Sequence, residues 1–186
     1  MTVQIARRLF TTTEYHQMLE ARILTEDDRV ELITGEVVSM SPIGSRHAAC
    51  VNRLNYLLVD RAGKTALISV QNPIHLGEHS EPEPDLALLQ PRPDFYVQAH
   101  PEAEDIILVI EVAESSVEYD RQVKVPLYAQ HGIEEVWVVD LAGGMIEVYR
   151  QPLPTGYGQI QSLKRGQSVS PQAFPKLVMT VNEILG

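Results

Sequence analysis

Three side chains, far apart along the chain, have the types that a divalent cation and a phosphate ester call for. Asp85 ends the segment Glu81-Pro82-Glu83-Pro84-Asp85, directly before the apolar run Leu86–Leu89. Glu111 is the lone acid near the end of the apolar run Ile106–Val112. Lys124 lies between Asp120 and Tyr128, and these three recur at i, i+4 and i+8, one stripe of a helix. Hard divalent cations take oxygen ligands, and Mg2+ is usually held by one or two carboxylates plus water and substrate phosphate. If their strands are neighbours, Asp85 and Glu111 supply the carboxylates, and Val112 adds a backbone carbonyl. Lys124 is a compact charge suited to orienting an attacking water or steadying a pentavalent phosphorus. The chemistry indicated is metal-assisted hydrolysis.

A plain structural reading stands beside this one. Asp85 would cap a turn, Glu111 would end its strand in solvent, and Lys124 would pair with Asp120 on an exposed helix face. The cost of burying an isolated acid speaks against that for Glu111. A glycosidase built on Asp85 and Glu111 would leave Lys124 idle and lacks the aromatic platforms sugars favour. On the hydrolase reading, Lys124→Ala removes activity with little loss of thermal stability.

The elements that must position these residues follow from periodicity. Thr11-Thr-Thr-Glu14 before Tyr15, Met18 and Leu19 has the form of a capped helix. Arg29–Met40 forms two strands around a Thr34-Gly35 turn, with Val30 and Leu32 on one face and Glu31 and Ile33 on the other. Glu31 is then either a functional acid or a half-exposed strand carboxylate. From Gly44 to Ala62, Cys50, Val51, Leu54, Leu57 and Leu58 recur at helical spacing, with Gly63 as the stop. His47 lies one turn before that stripe, where a hydrogen-bonded core histidine is the commoner role. Cys50 is an inert core thiol.

Thr65–Ile74 is a strand with Leu67, Ser69 and Gln71 on one face, and residues 91–105 are a surface excursion. A helix runs from Glu114-Ser-Ser116 to Gln130, kinked or split by Pro126. Glu135–Leu141 and Met145–Arg150 flank a Gly143-Gly144 turn, Met145–Arg150 and the edge strand Tyr157–Leu163 are the edges expected to be available to a second copy, and Val181–Leu185 closes the chain as a short helix. Continuous apolar strands at 86–89, 106–110 and 136–139 imply a sheet covered on both faces. The fold class expected is α/β, with a mixed central sheet flanked by helices.

A chain of 186 residues fits one domain, 1–186. Its longest apolar runs are too short to span a bilayer, and Met1–Arg8 contains no apolar stretch of a leader. One cysteine excludes an internal disulfide and a cysteine-based zinc site, and a cytoplasmic protein is expected. The net charge of −10 forgoes the counterion release that drives most nucleic-acid binding. Twelve acids and one base, Arg92, fall between Glu78 and Asp120. Such a cluster repels phosphate unless cations invert the local field.

The ordered set Val-Glu31-Leu-Ile-x-Gly-Glu, His47, Pro84-Asp85, Ile-Glu111-Val, Asp120-Arg-x-x-Lys124-x-x-x-Tyr128-Ala and Trp137-Val-Val-Asp140 resembles the Uma2 family. That family is abundant in cyanobacteria and is similar to restriction endonucleases of the PD-(D/E)xK superfamily. The likeness runs from about Thr12 to Arg150 or beyond. It implies a restriction endonuclease-like fold and a Mg2+- or Mn2+-dependent endonuclease acting on DNA, as a homodimer since cutting both strands generally takes two sites. Asp85 and Glu111 would be metal ligands and Lys124 the catalytic lysine. Glu31 would assist the metal site, His47 would point into its cavity, and Gln71 would lend it a polar group. Asp120 and Tyr128 share the lysine's stripe, Asp120 with Arg121 supporting the helix start. The superfamily's usual (Asp/Glu)-x-Lys is absent, because position 113 is Ala. The lysine's place would then be taken by Lys124 on the following helix. The competing expectation is a catalytically silent module of this fold that binds a protein or nucleic acid.

Overall fold

The computed structural model describes residues 7–25 and 27–186. The expectation drawn from Met1–Arg8 falls mostly outside them. Helix α1 (Thr12–Glu20) starts where the sequence says it should. Thr11 Oγ1 accepts from the Glu14 N–H at 3.1 Å, and the Glu14 carboxylate accepts in return from the Thr11 N–H at 3.1 Å. Strands β1 (Val30–Ile33) and β2 (Glu36–Ser39) form the hairpin, turned through Thr34 and Gly35, both at positive φ. Helix α2 (Ser45–Ala62) stops at Gly63, whose φ of 55° suits glycine.

The central sheet contains β3 (Leu67–Val70), β4 (Leu86–Leu89), β5 (Ile106–Ala113), β6 (Glu135–Asp140), β7 (Met145–Leu153) and β8 (Gly156–Lys164), in that spatial order. Only β5 and β6 run parallel, and the crossover between them carries the next helices. A two-residue ribbon, β9 (Ser168–Val169) with β10 (Met179–Thr180), was not foreseen from sequence, being too short to show a period. Helix α5 (Val181–Leu185) closes the chain. No helix among the described residues is long and apolar enough to cross a membrane.

Both faces of the sheet are buried, and the period of two sorts its residues between them. Leu86, Leu88, Leu108, Ile110 and Val112 pack on the stripe of α2 that contains Val51, Leu54 and Leu58. Cys50 is wholly buried in the same layer, and burial pushes its thiol up to about 11. Ala87, Leu89, Val109, Val136 and Val138 pack on the opposite layer with Val125, Leu127 and Tyr128. By the same alternation, Asp85 and Glu111 belong to this second face.

Three sequence expectations need correction. The strand expected over 65–74 ends at Val70, and Gln71 leaves it at a φ of 50°. The strand Met145–Arg150 lies inside the sheet as part of β7, so the free edges are β3 and β8. The helix from Glu114 to Gln130 is three pieces: α3 (Val117–Tyr119), a π turn over Asp120–Lys124, and α4 (Val125–Gln130). Pro126 explains the division. It has no N–H for the Gln122 carbonyl and its ring crowds that oxygen, so the ladder widens just before it. There the Val125 N–H donates to the Asp120 carbonyl, five residues back.

Arg121 ties that wide turn to the sheet. Its Nε and Nη2 donate to the two Glu147 oxygens at 2.9 and 3.0 Å, and Nη2 also reaches Asp140 Oδ2 at 3.2 Å. A lysine cannot reproduce this fork. Arg121→Lys is expected to cost about 1–2 kcal/mol, reduced by partial exposure, measured as the shift in the urea midpoint.

Candidate active site

Antiparallel pairing of β4 with β5 sets Leu86 opposite Ile110, so one further step places Asp85 opposite Glu111. Like charges so placed repel, and the surroundings supply the compensation. Asp85 is held from three sides. Oδ2 accepts from His47 Nε2–H at 2.9 Å and from the Val112 N–H at 2.9 Å, while Oδ1 accepts from Gln71 Nε2 at 3.1 Å. The left-handed backbone at Gln71 is what turns its amide onto this carboxylate. Such a conformation is uncommon away from glycine and concentrates at functional sites. His47 comes from the first turn of α2, across the sheet end, so the α2 layer reaches a carboxylate on the opposite face. A strand residue's N–H and C=O leave by the same edge, so the Val112 carbonyl also faces this side.

Glu111 is 3% exposed. Its Oε1 accepts from Tyr128 Oη at 2.5 Å and lies 3.3 Å from Lys124 Nζ, while Oε2 accepts from the Asp85 N–H at 3.4 Å. Lys124 is 6% exposed and its ammonium also lies 3.0 Å from Glu31 Oε2. Glu31 accepts in addition from the Glu83 N–H at 3.1 Å. The structure therefore gathers Glu31, His47, Asp85, Glu111, Val112 and Lys124 around one cavity of about 650 Å³. Gln71 and Tyr128 hold its carboxylates from behind. Asp120 also lines the cavity but accepts from Ser116 Oγ at 3.0 Å and makes no ion pair with Lys124, so the expected i,i+4 bridge is absent. The wide turn has redirected the lysine toward the sheet.

Electrostatics mark the site as overloaded with negative charge. Burial pushes the Glu111 carboxyl above the usual range against the pull of Lys124, with Asp120 and Asp85 adding to the rise. Burial likewise raises Asp120 to about 6, and Glu83 also lies above its ordinary value. Burial works against the Lys124 charge, but Glu111, Glu31 and Asp120 outweigh it and keep the ammonium protonated. The hydrogen bond to Asp85 raises His47, against its burial. Two buried polar atoms, His47 Nδ1 and Tyr119 Oη, have no partner among the described residues. An all-oxygen donor set, an excess of acids around one lysine and an adjoining cavity suit a hard dication.

Sequence reasoning missed Glu83, whose N–H anchors Glu31 and whose side chain lines the cavity with Arg29, Glu114 and Ser116. The alternating Glu81-Pro-Glu-Pro-Asp85 run is the signal that would have shown it. Among the described residues, three metal-ligating side chains come within 4.8 Å of one another at one place only, His16, Glu81 and His100, outside this cavity.

A six-stranded mixed sheet flanked by helices, with acids gathered at the end of its β4–β5 pair, is a nuclease-like architecture. The chain belongs to the Uma2 family, described as "putative restriction endonuclease", whose family model matches residues 12–182. A crystal structure of a "putative nuclease belonging to DUF820" from Anabaena variabilis is similar in fold, with a TM-score of 0.72 at 14% identity. The similarity covers 95% of this chain and 97% of that one. No curated protein sequence matches the chain.

The burial of Lys124 overturns the expectation that its loss leaves stability unchanged. Removing it strands two buried carboxylates, so Lys124→Ala is expected to destabilise by about 3–5 kcal/mol in urea unfolding. Adding Glu31→Gln and Glu111→Gln should recover much of that loss, a coupling that a mutant cycle reads directly. A second prediction concerns His47. In Asp85→Asn its pKa should fall from its raised value toward or below the ordinary one, followed by histidine proton NMR. An unmoved titration would mean the His47–Asp85 contact is not made in solution.

Proposed function

We propose that this chain is a cytoplasmic, divalent-metal-dependent endonuclease that hydrolyses phosphodiester bonds, with DNA as its substrate. The observation that carries the reading is one arrangement: the cross-strand carboxylates of Asp85 and Glu111 with the Lys124 ammonium 3.3 Å from Glu111, at the wall of an open cavity. Asp85, Glu111 and the Val112 carbonyl would hold Mg2+ or Mn2+. When bound, such an ion polarises the phosphoryl oxygen and acidifies its coordinated water.

The chain's own groups do the remainder. His47, Gln71 and the Val112 N–H fix the Asp85 carboxylate, so little reorganisation is needed as a ligand is taken up. Tyr128 fixes Glu111 in the same way and leaves Oε2 as its more open oxygen. Lys124, kept charged by Glu31 and Glu111, offers an N–H to a non-bridging phosphate oxygen or to the attacking water. Glu31 sets the lysine's position. With this wall acidic, phosphate approaches only where the cation and Lys124 reverse the local field. Two cuts in a duplex call for two sites, and the free β8 edge is where a second copy would pair.

The silent-module reading has its own support. Lys124 is committed to two carboxylates, every oxygen of Asp85 already accepts hydrogen bonds, and the chain is acidic. Calorimetry and cleavage decide between them. Wild type should bind Mg2+ or Mn2+ and nick supercoiled plasmid in its presence. Asp85→Asn and Glu111→Gln should lower both by roughly a hundredfold or more. Equal heats for wild type and Asp85→Asn, with no metal-dependent nicking, would leave the silent module standing.

A further inference from the structure

The chain carries a second cluster of ligating side chains, independent of the proposed nuclease chemistry. His16 Nε2 lies 2.8 and 2.9 Å from the two oxygens of Glu81, and the ligand atoms of His16, Glu81 and His100 all fall within 4.8 Å of one another. The two imidazole rings are 6.2 Å apart at an interplanar angle of 67°. We infer that His16, Glu81 and His100 form a binding site for a transition-metal ion, Zn2+ foremost, with a remaining coordination position open to the adjoining cavity.

The donor set points to that class of ion. Two imidazoles and one carboxylate suit Zn2+ and its first-row neighbours, whereas Mg2+ takes oxygen and keeps its waters. Three protein ligands with one position free is the pattern of an exchangeable or catalytic zinc site rather than a closed structural one. Bonds of roughly 2.0–2.2 Å place tetrahedral ligand atoms about 3.3–3.5 Å apart. The His16–Glu81 pair needs to open by only about half an ångström to reach that separation, and the exposed ring of His100 is free to close the remainder. In the metal-free arrangement the His16 Nε2–H donates to Glu81. A metal bound at Nε2 takes that place, with the ring's proton carried on Nδ1 instead.

The ligands are presented by elements already fixed. His16 is on α1, pinned by the Thr11–Glu14 capping box and by Tyr15, whose Oη donates to the Val30 carbonyl at 3.1 Å. Glu81 exchanges backbone hydrogen bonds with Leu32, at 2.7 and 3.4 Å, and its side chain is 3% exposed. That carboxylate has His16 as its only side-chain partner among the described residues. A buried acid leaning on one half-exposed imidazole is under-compensated, which is the situation a cation relieves. His100 precedes Pro101, whose carbonyl accepts from the His75 N–H at 2.8 Å. The cavity beside the cluster is about 370 Å³ and is also lined by Tyr15, Pro73 and Glu83. Glu83 lines both this cavity and the one around Asp85.

The test is a Zn2+ titration by calorimetry, with Co2+ absorption reporting the ligand field. Wild type, Asp85→Asn, His16→Ala and His100→Ala are compared, and circular dichroism confirms that each is folded. His100 is exposed, so His100→Ala leaves the core intact and keeps the test decisive should the loss of Glu81's partner unfold His16→Ala. One Zn2+ site should persist in Asp85→Asn and weaken by at least about tenfold in each histidine variant, since even outer partners of a metal site cost that much. Co2+ should give intense visible bands of a low-coordinate site in wild type that the histidine variants lose. The inference is overturned if wild type takes up no Zn2+, or if binding survives both histidine substitutions. Because Asp85→Asn disables the other site, failure of the nuclease proposal and failure of this one are read separately.

Discussion

One ammonium group, that of Lys124, holds the candidate site together. It is buried between carboxylates contributed by the hairpin (Glu31) and by the central sheet (Glu111), while the lysine comes from the wide turn of the helical layer. Charges taken out of water are tolerated only when their partners are correctly placed. Hairpin, sheet and helix must therefore be docked together before any of the three charges is satisfied. The same contact therefore ties these three elements together and sets where the lysine stands in the candidate site. Ala113 carries no charge, and the ammonium beside Glu111 comes from the π turn instead.

Around that contact the site is built by opposed demands. The strand pairing sets two like charges side by side, and each is stabilised by donors from a different layer. His47 reaches Asp85 from one face of the sheet, while Tyr128 reaches Glu111 from the other. The pairing of an overall charge of −10 with the proposed phosphodiester substrate is less contradictory in this light. The acids concentrate where cations would gather, so any affinity for a polyanion must be local and cation-dependent rather than spread over the surface.

Much of this was legible in the sequence wherever a local rule applied. The Thr11–Glu14 box, the Gly63 stop and the alternation through β4 and β5 each follow from contacts between near neighbours. Asp85, Glu111 and Lys124 were singled out by type and position, and the meeting of the two acids needed only that β4 and β5 be adjacent. What escaped were features that depend on three dimensions. Pro126 announced a break, yet nothing in the sequence specified that it would be accommodated by a π turn that buries Lys124. Gln71 was assigned to a strand because nothing in its own propensity announces the left-handed backbone that aims its amide at Asp85. His16, Glu81 and His100 are separated by 65 and 19 positions, and no spacing rule links an α-helix, a strap and a loop.

The alternation of prolines between Glu81 and Asp85 has a mechanical consequence. Pro82 and Pro84 lack N–H groups, and the three amides that remain are all engaged: by the Leu32 carbonyl, by Glu31 and by Glu111. Each pyrrolidine ring also fixes φ, so the segment is stiff even in the unfolded chain and loses little freedom when it docks. It behaves as a rigid graduated spacer, its acids set two residues apart at about 6–7 Å intervals. Mutual repulsion among them cannot be eased by the chain curling away, and their separation is a property of covalent geometry rather than of packing.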